Sequence, residues 1–176
     1  MRKLVLLLLL AFVGCSDDAE QNSPSETMSI FLEYMTTAQF TEAQAMLIGD
    51  FSLYEIEEEY RGVFSELTYE IISETIDDES AYVELALDTI DFAAVMEEVM
   101  SNAFSLVFLD ISAEEFAREV ETLLQNVLES PPTTTINATI ELQLHEEWRI
   151  VANSYFADAI TGGLLSFAES ISEWLE

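Results

Sequence analysis

The stretch Ala81-Tyr-Val-Glu-Leu-Ala-Leu-Asp-Thr-Ile90 decides the fold of this chain. Its residues alternate between apolar and polar, and successive side chains of a strand point to opposite faces of a sheet. The alternation predicts a half-buried antiparallel strand. The expected inner face comprises Val83, Leu85, Leu87 and Thr89, and the expected outer face comprises Tyr82, Glu84, Ala86, Asp88 and Ile90.

Three more segments have the character of strands. Residues 68–76 are β-rich and are joined to the strand at 81–90 by a turn at 77–80. Residues 133–144 alternate in the same way, and residues 148–154 follow a tight turn around His145. Together these segments predict a sheet of about four antiparallel strands.

Helical patterns flank and interrupt these strands. Capping boxes begin two helices, at Ser23-Pro-Ser-Glu26 and at Ser112-Ala-Glu-Glu115. Further helices are predicted at 40–48, 54–67, 92–108 and 155–175. Gly162-Gly163 inside the last segment indicates a break or a close-packing point, with a packing or kink role favoured over a ligand contact. The order predicts an α+β domain with three N-terminal helices, a two-helix insertion within the sheet and a C-terminal helix. The Met and Phe residues of 92–108 and 156–167 are expected to be core, with a lipid or small-molecule cavity as the alternative.

The N-terminus has the pattern of an export signal. Arg2 and Lys3 precede an apolar run over residues 4–13, which is too short for the ~20 residues of a membrane-spanning helix. The predicted organisation is a signal peptide at 1–14, a lipidated cysteine with a flexible tether at 15–24, and one acidic domain at 25–176. Cys15 is the only cysteine, so no internal disulfide is expected.

The residues Phe12-Val-Gly-Cys15 resemble the lipobox of bacterial lipoproteins. The resemblance implies cleavage before Cys15, a diacylglycerol and a fatty acid such as palmitate at that residue, and an anchor on the extracytoplasmic side of a bacterial cell membrane. Two acyl chains anchor stably where one does not. The alternatives are an ordinary secretory peptide with an incidental Cys15, or an uncleaved membrane anchor.

The charge of the chain restricts its partners. The sequence has 35 Asp and Glu residues against 5 Lys and Arg, a net charge of −30, and loss of Arg2 and Lys3 with the signal would make it −32. Such a field repels nucleic acids and anionic headgroups. Three explanations of the acidity stay open: a solvated surface, adaptation to high salt, and capture of divalent cations.

A second resemblance covers roughly residues 25–176. The order of elements resembles secreted bacterial lipoproteins with a cone-shaped fold of the nuclear transport factor 2 type, in which three N-terminal helices pack on a strongly curved antiparallel sheet. The segments that carry it are Phe40-Thr-Glu-Ala-Gln-Ala-Met46, Tyr82-Val-Glu-Leu-Ala-Leu-Asp88, Glu147-Trp-Arg-Ile150 and Ile160-Thr-Gly-Gly-Leu164. The insertion and the C-terminal helix depart from the minimal fold and would fill or cover the cone mouth.

Candidate site residues are few. Enzymes of the cone fold place carboxylates where Asp88 and Asp91 fall, although Asp91 also fits a helix N-cap. Glu84 and Glu141 share the polar sheet face with Asp88, so a carboxylate cluster at Glu84, Asp88, Asp91 and Glu141 is the speculative site. His145, the only histidine, is expected to be solvated, and neither zinc nor any other cofactor is predicted.

The sequence therefore predicts a non-enzymatic, lipid-anchored protein with a binding or accessory role in the envelope. One alternative is a cone-fold hydrolase or isomerase that uses a carboxylate base. Another is a cation-buffering surface protein. The partners that these hypotheses leave open are a small apolar ligand, an envelope protein and loosely held cations.

Overall fold

The computed structural model describes residues 21–55, 62 and 64–166. The predicted signal peptide, Cys15, most of the tether, most of the predicted helix at 54–67 and the end of the chain lie outside these residues. The described elements are α1 (Pro24–Thr36), α2 (Phe40–Ala45), β1 (Leu47–Gly49), a 3₁₀ turn (Leu53–Glu55), β2 (Thr68–Asp77), β3 (Ser80–Ile90), α3 (Phe92–Leu106), α4 (Ala113–Leu128), β4 (Thr133–Leu144), β5 (Trp148–Ala152) and α5 (Ser154–Ile160).

The sheet has five strands in the order β1-β5-β4-β3-β2. The long β3–β4 pair runs antiparallel from Ser80 opposite Gln143 to Ile90 opposite Thr133. Strand β2 pairs antiparallel with β3, and its register shifts between Ile71 and Ser73. The α+β class predicted from the sequence is confirmed.

The predicted sheet of about four antiparallel strands was wrong, because β1 adds a fifth strand that runs parallel to β5. Residues 47 and 48 were assigned to the end of a helix over 40–48, but the helix ends at Ala45. The backbone N–H of Ile150 donates to the carbonyl of Met46 at 3.0 Å, so strand pairing takes up the hydrogen bonds of this segment. Pairing across an open strand edge overrides helix propensity here.

The described residues contain two N-terminal α-helices rather than the three predicted. The predicted capping box of α1 is confirmed: Glu26 N–H donates to Ser23 Oγ at 3.1 Å, and Ser23 N–H donates to Glu26 Oε2 at 2.8 Å. The third predicted helix appears at its described ends only as 3₁₀ turns, at Leu53–Glu55 and at residues 64–66.

The core lies between one face of the sheet and helices α1 and α5. The predicted alternation of β3 is confirmed, since Val83, Leu85 and Leu87 have no exposed surface. The rings of Phe31 and Phe156, one from each helix, stand 5.5 Å apart in this core. Ile90 was expected on the outer face but is buried, and the remaining outer face of β3 is mostly exposed.

The two-helix insertion between β3 and β4 is also confirmed. Its helices α3 and α4 form a helical hairpin. The N–H of Asp91 donates to the carbonyl of Pro132 at 2.9 Å and closes the base of this hairpin. The predicted capping box of α4 is confirmed. The Glu115 carboxylate accepts hydrogen bonds from the backbone N–H of Ser112 and, with a smaller effect, from the Ser112 hydroxyl, and these bonds hold the pKa of Glu115 below its usual value. The two helices pack mainly on each other, and α4 has no buried residue.

The C-terminal segment does not continue as one helix. Helix α5 ends at Ile160, and Gly162 and Gly163 adopt left-handed φ angles of 62° and 85°. The helical conformation resumes at residues 164–166. The helical segment predicted over 155–175 is interrupted at Gly162-Gly163, the position where the sequence indicated a break or a close-packing point, and glycine permits these φ angles because it lacks a Cβ.

Candidate functional site

Asp88 lies on the outer face of the sheet with hydroxyl donors on both sides. Thr135 Oγ1 donates to Asp88 Oδ1 at 2.5 Å, and Thr68 Oγ1 donates to Oδ2 at 3.3 Å. The three residues come from neighbouring strands, because Asp88 of β3 is opposite Thr68 of β2 and Thr135 of β4. Asp88 is exposed, so it lacks the burial that usually tunes a catalytic carboxylate.

The other two strand carboxylates have separate partners. Glu84 accepts from Ser73 Oγ at 2.7 Å, and half-buried Glu141 accepts from Gln143 Nε2 at 3.3 Å. The β3–β4 register makes Glu84 and Glu141 diagonal neighbours, typically about 7–8 Å apart. Asp88 is four residues beyond Glu84, about 13 Å along the strand. The speculative cluster is therefore spread over the face.

Asp91 serves the backbone of the insertion. Its carboxylate accepts from the N–H of Ala94 at 2.8 Å, so the predicted N-cap role is confirmed. His145 is exposed in the β4–β5 turn, as expected. Across residues 21–55, 62 and 64–166, no three His, Cys, Asp or Glu side chains come together in an arrangement that could hold a metal ion.

Two clefts open on the described surface. One of about 320 Å³ lies at the base of the insertion and contains Asp88; its walls are formed by Glu66, Thr89, Ile90, Thr133, Thr134 and Thr135. The other, of about 310 Å³, lies beside the N-terminal segment and contains Trp148 and Arg149. Arg149 pairs with Glu147 at 2.5 Å and donates to the carbonyl of Ala45.

The most unusual feature of the described surface is an apolar stripe on α3 and the loop that follows. Phe108 is 76% exposed, Phe104 66% and Met100 46%. We call this surface the α3 stripe; it consists of Met100, Phe104, Val107, Phe108 and Leu109. The prediction that the Met and Phe residues of 92–108 belong to the core was wrong for Met100, Phe104 and Phe108, which are exposed.

The error has a physical cause that the sequence contains. Helix α3 is apolar around much of its circumference, and one side contact buries only part of such a surface. Val95 and Val99 take the buried side. Met100 and Phe104 are one helical turn apart on α3, and Phe108 lies just past the end of the helix at Leu106, in the turn that continues the stripe. In the part of the chain that the structure describes, α3 packs mainly on α4, and one such contact leaves part of its wide apolar surface exposed.

No protein-family model, no curated protein and no solved structure matches this chain. Among the described residues, no helix combines the length and apolar character needed to cross a membrane.

Proposed function

We propose that this chain is a lipid-anchored extracytoplasmic protein that acts by binding another macromolecule. The exposed α3 stripe carries this proposal. Monomeric soluble proteins rarely expose large contiguous apolar patches, and those that do commonly use them in an interaction. Here Phe104 and Phe108, at 66% and 76% exposure, are aromatic side chains, a type that is enriched in protein interfaces.

The anchoring part of the proposal rests on the lipobox resemblance at Phe12-Val-Gly-Cys15. Its test is metabolic labelling with a fatty-acid analogue in bacterial cells that produce the full chain. We expect label on the wild-type protein and none on Cys15→Ser, because the serine hydroxyl does not replace the thiol as acyl acceptor. The control is Ser16→Ala, which changes the neighbouring residue and should retain the label. Labelled Cys15→Ser protein would contradict the anchor.

Catalysis has less support than binding. The carboxylate-base hypothesis depends on Asp88, which is exposed and accepts hydrogen bonds from two threonines. A general base is commonly tuned by burial or by a neighbouring charge. Asp88 lacks that burial, and its described hydrogen-bond partners are two neutral hydroxyl groups.

A further inference from the structure

We propose that the α3 stripe docks into an apolar groove of a second protein whose rim carries lysine or arginine side chains. The inference deepens the proposed function by stating the chemistry of the partner. Its first support is geometric. Met100 and Phe104 have the i, i+4 spacing of the anchors by which one helix fills the groove of another protein, and Phe108 extends this apolar surface just past the end of α3.

The two aromatic anchors are already arranged for docking. The rings of Phe104 and Phe108 meet edge to face, with centroids 5.4 Å apart and planes at 80°. This ring contact holds Phe108, in the turn after α3, against Phe104 on the helix before any partner binds. Such preorganisation lowers the entropy that side chains lose on binding.

The charge around the stripe identifies the kind of partner. Residues 91–130 contain nine acids and one arginine, a net charge of −8. The exposed carboxylates nearest to the stripe in sequence are those of Glu97, Glu98, Asp110 and Glu114. A groove with a cationic rim complements this arrangement. A second copy of the chain would bring like charges together, and an anionic membrane surface would repel the same acids.

The position of the hairpin on the domain favours a partner away from the anchor. Gln21 Nε2 donates to the carbonyl of Glu146, and Ser25 N–H donates to Glu74 Oε2, which places the described start of the chain at the β4–β5 turn. The base of the hairpin lies at Ile90 and Thr133, about 33 Å away along β3. This step rests on the proposed function, because the lipid anchor would make the β4–β5 end the membrane-proximal one.

Site-specific photocrosslinking of the full chain in producing cells tests the proposal. The photoreactive amino acid p-benzoylphenylalanine replaces Phe104, and in a control it replaces Tyr54, which is 59% exposed on another part of the surface. We expect position 104 to give a discrete adduct with a second protein. Mass spectrometry should map the crosslinked peptide to an apolar segment with lysine or arginine nearby. Position 54 should give no such adduct.

A charge variant tests whether the exposed acids near the α3 stripe contribute to docking. Glu97→Lys combined with Glu98→Lys should reduce the yield of the adduct roughly tenfold, since the introduced lysines would repel the cationic rim of the partner's groove. Glu33→Lys with Glu42→Lys changes the net charge equally on helices α1 and α2 and should leave the yield within about twofold, because exposed charges beyond a Debye length are largely screened. Circular dichroism of each variant checks that the helices are retained.

Other outcomes overturn the proposal. An adduct with a second copy of the chain would make the stripe a self-association surface, and an adduct with lipid would make it a membrane-contacting surface. No adduct at position 104, or a protein adduct insensitive to Glu97→Lys and Glu98→Lys, also contradicts it. Fatty-acid labelling of Cys15 is scored on the same cells, so failure of the anchor and failure of the docking site give different results.

Discussion

Gly162 is the residue at which backbone geometry most restricts side-chain choice. Its φ is 62°, and a Cβ added there would stand 1.9 Å from the carbonyl oxygen of Ile90. The contact joins the end of α5 to the end of β3, at the base of the insertion. The interpretation of Gly162-Gly163 as a packing and kink site, rather than a ligand contact, fits this close approach.

We expect Gly162→Ala to destabilise the domain strongly. Left-handed strain for a residue with a side chain costs on the order of 1–3 kcal/mol, and the clash with backbone adds to it. The matched control is Gly163→Ala, which has the same kind of strain at a φ of 85° but whose nearest atom, the Ala93 Cβ, is 3.9 Å away. Urea unfolding of both variants gives the comparison. Equal losses in the two would show that the Ile90 contact contributes nothing.

The insertion is the element that behaves most independently. Helices α3 and α4 contribute only Val95 and Val99 to the buried apolar residues, and both residues are absent from the main core cluster. Phe92, at the start of α3, contacts an aromatic ring outside the insertion: its ring centroid is 6.3 Å from that of Phe64. Because Asp91 and Pro132 are hydrogen-bonded at its base, the chain leaves the sheet and returns at nearly the same point.

Replacing residues 92–131 by a Ser-Asn-Gly-Ser turn should leave a folded domain. The β3–β4 pair would then close as an ordinary hairpin with a four-residue loop. We expect a loss of at most about 3 kcal/mol, the order of one buried large apolar side chain. Cooperative thermal unfolding of the shortened protein is the measurement. The comparison variant Leu85→Ala, in the sheet core, should cost about 2–5 kcal/mol. A shortened protein without a cooperative transition would contradict the independence of the insertion.

At the scale of the whole molecule, the charge dominates. At a net charge of −30, the carboxylates of the chain repel one another. The described residues contain one salt bridge, between Arg149 and Glu147. Exposed pairs of this kind contribute little to stability. The fold must therefore depend on its apolar core, whose largest fully buried side chains include Phe31 and Phe156.

The melting temperature should rise with sodium chloride from low to molar concentration. Salt shortens the Debye length from about 10 Å at 0.1 M to about 3 Å at 1 M and so weakens the repulsion between carboxylates. We expect a gain of roughly 5 °C, the equivalent of 1–2 kcal/mol for a domain of this size. A variant with Glu33, Glu42, Glu97 and Glu98 changed to glutamine should begin higher and respond less. A flat or falling curve for the original chain would remove the argument from repulsion.

Local patterns predicted a large part of the fold. The strand at 81–90, both capping boxes and the two-helix insertion depend on interactions within a few residues, which the sequence displays directly. The fifth strand could not be predicted in this way. Leu47–Gly49 forms a strand only because β5, about 100 residues later, offers an open edge.

The features of the candidate site also divide into those that the sequence determines and those that depend on tertiary structure. By itself the sequence determined the net charge, the single Cys15 in a lipobox-like context and the apolar character of the segment containing Phe104 and Phe108. Tertiary structure alone decided which apolar residues were buried: Val99 turns into the hairpin and Phe104 stays in solvent. It also separated Glu84 from Asp88 along one strand. The reason is that burial and proximity are set by which elements pack together, and helical or strand periodicity cannot specify the partner.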